Sequence, residues 1–62
     1  MTVYDSICEK QSNMNAVLKD KNGEILFQGT IGDLSVSNYA YMEIELPTIF
    51  DKELNAYLIL IK

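Results

Sequence analysis

The segment Asn55 to Lys62 reads NAYLILIK. In an extended chain its apolar side chains fall on both sides: Ala56, Leu58 and Leu60 on one, Tyr57, Ile59 and Ile61 on the other. A strand with no polar face needs cover on both faces. Further upstream, Ala40-Tyr41-Met42-Glu43-Ile44-Glu45-Leu46 alternates, which predicts a half-buried strand. Ala40, Met42, Ile44 and Leu46 would face inward, and Tyr41, Glu43 and Glu45 would face solvent. Pro47, which has no N–H to give a ladder, is expected to stop it. The stretch Thr48 to Glu53 then reads as a connection whose Ile49 and Phe50 plug the end of the sheet.

Turn and cap chemistry supply the other elements. NAVLKDKNGEILFQG holds two apolar-rich runs joined around Asp20-Lys21-Asn22-Gly23, a hairpin signal. Asp20 and Gly23 suit a type I turn followed by a left-handed glycine bulge, which pairs Leu18 near Leu26. A tighter Asn22-Gly23 turn would instead set Leu18 opposite Phe27. Thr2 with Asp5 three residues on predicts a capped helix from Thr2 to about Lys10, with Val3 and Ile7 on one side. Thr30 with Asp33 predicts a helical turn over Ile31 to Val36, weakened by Gly32.

The expected fold class is α+β. It consists of a small antiparallel sheet of about four strands, with an N-terminal helix on one face and a short helical turn in the middle, in the order α-β-β-α-β-β. The whole chain, 1–62, forms one domain. A core this small is marginal. One cysteine, Cys8, excludes an intrachain disulfide, and the absence of histidine argues against a zinc site, so no metal and no cofactor are expected. Close packing or self-association must then stabilise the fold. We expect a C2 homodimer, with Tyr57, Ile59 and Ile61 as the self-association face.

Charge narrows the function classes. The net charge is −4, from nine acids and five lysines, with no arginine. Direct nucleic-acid binding is therefore not expected, and a partner selected by charge would be basic. The apolar runs are too short to cross a bilayer, and no signal peptide is seen, so a reducing cytoplasm is the expected location. Glu43 and Glu45 would stand about 7 Å apart on a strand. They would lie on an open face rather than across a cleft, and Cys8 has no histidine to activate it. No enzyme is expected. Gly29 and Gly32 lack the lysine of a phosphate loop.

In layout, with its MTV start, its hairpin LKDKNGEILFQG and a final strand ending in lysine, the chain resembles short uncharacterised proteins encoded by phages and mobile elements of low-GC Gram-positive bacteria. The resemblance covers most of the chain and assigns no residue a role. It implies a non-enzymatic accessory function, such as inhibition of a host defence protein in the manner of anti-CRISPR proteins. The expected function is thus a small acidic protein-binding module that occludes a basic surface on a nucleic-acid-binding or defence protein. Its expected partner-binding residues are Tyr41, Glu43 and Glu45. The alternatives are an oligomer that sequesters a small ligand such as a nucleotide, with Lys10, Lys19 and Lys21 as the available cations, and a structural homo-oligomer subunit.

Overall fold

The computed structural model describes residues 1–45 and 48–62. Helix α1 spans Val3–Ile7, strand β1 Asn15–Lys19, strand β2 Ile25–Thr30 and helix α2 Ile31–Ser35. A 3-10 helix follows at Asn38–Tyr41, then strand β3 at Ile49–Asp51 and strand β4 at Ala56–Leu60. The architecture is α+β, with helices against one face of a four-stranded sheet.

Both helices begin where side-chain chemistry demands. The Thr2 hydroxyl accepts from the Asp5 N–H and the Asp5 carboxylate accepts from the Thr2 N–H, so two donors at the start of α1 are satisfied reciprocally. Thr30 caps α2 by accepting from the Asp33 N–H. Each helix is only five residues long. Such pieces are unstable alone, and packing of their apolar side chains holds them: Val3 and Ile7 from α1, Ile31 and Leu34 from α2 are buried.

The strand order is β2-β1-β4-β3. The outer pairings are antiparallel, but β1 and β4 run parallel at the centre, so the sheet is mixed rather than wholly antiparallel. The reason is topological. β4 returns from a distant part of the chain to lie beside β1, a pairing that no tight turn dictates.

The expected strand over 40–46 is replaced. Residues 38–41 form the 3-10 helix, capped by Ser37, whose hydroxyl accepts from the Tyr39 N–H. Glu43 and Ile44 make only isolated bridges, to Thr2 and Ile61 respectively. Leu46 and Pro47, expected to finish and stop that strand, lie outside the described residues. The fourth strand of the sheet is Ile49–Asp51, expected as a connection.

The core joins Ala16 and Leu18 of β1, Ile59 of β4 and Ile61 to the buried side chains of α1, α2 and Ile44. Alternation along the central strands then sends Val17, Leu58 and Leu60 to the opposite face. Among the described residues, no helix packs there.

Candidate functional site

The segment expected to form the partner-binding strand runs instead beside the N-terminus. The Val3 N–H donates to the Met42 carbonyl (2.9 Å) and the Ile44 N–H to the Met1 carbonyl (3.0 Å). Between them Thr2 bridges Glu43. The N-terminal ammonium lies 3.1 Å from Glu43 Oε2, an ion pair with both groups largely in water. Such a pair contributes little stability.

These contacts place the expected residues. Tyr41 closes the 3-10 helix and is 85% exposed. Glu43 is exposed and held beside the N-terminus. Glu45 is exposed too, but its N–H donates to the Leu60 carbonyl (2.7 Å), at the end of β4. There it lines a shallow depression with Asp20, Lys21 and Lys62. The three residues therefore do not share one strand face. Sequence reasoning missed Tyr4, Asp5 and Met42. All three are exposed: Met42 lies within the pairing of residues 1–3 with 42–44, and Tyr4 and Asp5 follow it in α1. No local pattern signals this adjacency, because it depends on backbone bonds between distant segments.

The self-association residues expected on the last strand are corrected. Ile59 is fully buried and Ile61 nearly so, both within this chain's own core. Tyr57 is half-buried on the same face, edge-on to Phe50 with ring centroids 5.2 Å apart. The Lys10 ammonium lies 5.1 Å from the Tyr57 ring centroid, within cation–π range. The helices cover the Ile59 side because their apolar side chains need that face. The side left over is that of Leu58 and Leu60.

The remaining chemistry is dispersed. Lys10 lies over Tyr57, Lys19 sits in β1 on the other sheet face, and Lys21 is in the hairpin turn, so the three cations do not converge. Gly29 lies under the Phe27 ring, and the Gly32 N–H donates to the Ser12 carbonyl (2.9 Å), which leaves that amide no hydrogen for a phosphate. Cys8 is exposed, and its thiol donates to the Asp5 carbonyl. Among the described residues no charged or polar side chain is buried, and no group of three or more Cys, Asp or Glu side chains is placed to hold a metal ion. No protein-family model, no curated protein and no solved structure matches this chain.

Proposed function

We propose that the protein is a non-enzymatic binding module, of the kind a phage or mobile element uses as an accessory inhibitor. It would dock an acidic, tyrosine-bearing surface onto a basic patch of another protein, such as one that contacts nucleic acid. The observation that carries this reading is the pairing of residues 1–3 with 42–44, within or next to which Tyr4, Asp5, Tyr41, Met42 and Glu43 are all exposed. Tyrosine supplies contact area at low entropic cost, and flanking carboxylates select a cationic partner. A module of this type needs no buried catalytic group. Its charged side chains on the described residues are all exposed or half-buried, open to contact by a partner.

The test is capture of a partner on immobilised protein, followed by variants. Tyr41→Ala and Glu43→Lys are expected to reduce capture at least tenfold while the far-UV circular dichroism is unchanged. Binding should also weaken as salt rises, since exposed charge pairs are screened. A partner retained equally by both variants sinks the assignment of this surface.

A further inference from the structure

We propose that Asn22 is a modification site: its carboxamide is hydrolysed through a cyclic imide formed with Gly23, and Asp20 sets the rate. The inference rests on the hairpin turn and not on the reading above. Asn13, Asn15, Asn38 and Asn55 each precede a residue that carries a side chain. Asn22 alone precedes a glycine, which leaves the next main-chain nitrogen unobstructed and its backbone free to rotate. Asn22 and Gly23 are both exposed, and a Cβ added at Gly23 meets nothing within 4 Å, so solvent reaches the reacting atoms.

Water is the only co-reactant. The Gly23 nitrogen gives its proton to solvent base and forms a bond to Asn22 Cγ. The Asn22 Nδ2 leaves as ammonia, taking up a proton from water, and a succinimide ring remains. Water then adds to either carbonyl of the ring. Breaking the Cγ–N bond gives aspartate. Breaking the bond between the main-chain carbonyl carbon and nitrogen gives isoaspartate, whose main chain runs through Cβ and Cγ. Either route consumes water, releases ammonia and oxidises nothing.

The turn itself holds the reaction back. The Gly23 N–H donates to the Asp20 carbonyl (3.0 Å). On either side, Asp20 Oδ1 accepts from the Asn22 N–H (2.8 Å) and the Glu24 N–H (3.0 Å). A nitrogen tied down in this way cannot swing onto Cγ until the turn opens, so local opening gates the conversion. Asp20 is thus a positioning residue, acting through the amides that flank the reacting nitrogen. The product alters the surface. A neutral amide becomes a carboxylate, which takes the net charge from −4 to −5 and sets a new acid next to Asp20 and Glu24. Isoaspartate also lengthens the main chain inside the turn, whose Asp20, Lys21 and Gly23 line the depression shared with Glu45 and Lys62.

The experiment is incubation of the intact chain in warm, mildly alkaline buffer. Top-down mass spectrometry places the amide-to-acid mass gain along the chain, and an isoaspartyl methyltransferase scores isoaspartate. The gain is expected at residue 22 ahead of every other asparagine, and Asn22→Gln, which would need a larger ring, should suppress it. Asp20→Ala should quicken conversion roughly tenfold, the factor expected for losing hydrogen bonds to a charged group. Asp20→Asn keeps an accepting oxygen and should stay close to the wild-type rate. Circular dichroism checks that both variants are folded, and wild-type chain in guanidinium chloride gives the rate without the turn. No gain at residue 22, or an earlier gain at another asparagine, overturns the site. A folded Asp20→Ala that converts no faster than wild type overturns the role of Asp20. So does an equal rate in the native and the unfolded wild-type chain, a comparison that stands even where Asp20→Ala does not fold.

Discussion

Leu18 stands directly across from Phe27, although the hairpin turn taken alone would put Leu26 there. The turn is the type I form with a left-handed glycine: the Gly23 N–H donates to the Asp20 carbonyl, and Lys19 pairs with Ile25. One residue further on, a second irregularity absorbs Leu26. A bulge of this kind shifts the register by one and so moves every later side chain to the other face. The shift brings Phe27 onto the helix-covered side, over Gly29 and edge-on to Tyr39 at 6.4 Å.

Phe27→Ala should therefore cost about 2 kcal/mol, less than the roughly 3–5 kcal/mol of a fully buried phenylalanine, because the ring is only half-buried. Urea denaturation measures it. Phe27→Leu should retain most of the stability. No loss in either variant would show that the ring does not lie on the core.

Gly23 has φ of +88°, and an added Cβ there meets nothing within 4 Å. The cost of Gly23→Ala is then backbone strain alone, about 1–2 kcal/mol. Gly23→Asn should cost less, since asparagine tolerates the left-handed region. Equal denaturation midpoints for the two variants would contradict this account.

Thr2→Ala removes one half of the reciprocal cap on α1 and should destabilise by about 1 kcal/mol. Thr30→Ala should cost a similar amount at α2. In a domain of a few kcal/mol total stability, either change is visible as a lowered melting temperature. A silent Thr2→Ala would mean that packing alone sets the start of α1.

The assignment of strand faces is tested on adjacent residues. Ile59→Ala, in the core, should cost about 2–5 kcal/mol and leave the chain largely unfolded. Leu60→Ala, half-exposed on the other face, should cost well under half of that. The reverse order would invert the two faces of β4.

What could be read in advance was local. The caps at Thr2 and Thr30 and the Asp20–Gly23 turn each depend on side chains within four residues of one another, and each stands where expected. Ala40 to Leu46 misled because buried Ala40 and Ile44 are separated by an exposed Met42, so its alternation is not that of a covered strand. The inward turn of Ala40 comes from the 3-10 helix and that of Ile44 from its bridge to Ile61. Ile49–Asp51 went unnoticed as a strand because three residues carry too little period to read. The parallel match of Ala16 with Tyr57 had no local signature. Which face of β4 is buried followed from it, and so did the location of the exposed apolar residues.

That central parallel pair also governs how the chain comes to be folded. The hairpin of β1 and β2 can close early, since its ends are joined by a short turn, but a two-stranded hairpin is marginal by itself. Ala16 and Leu18 acquire neighbours on their other side only when Tyr57 and Ile59 arrive. Loop closure over most of the chain precedes that reward, so the rate-limiting step should be late and non-local, and folding slower than in a helical protein of this size. A polypeptide carrying residues 1–55 has the helices, the hairpin and the turn chemistry, yet lacks the strand that joins them. It should remain without a stable sheet until residues 56–61 are supplied.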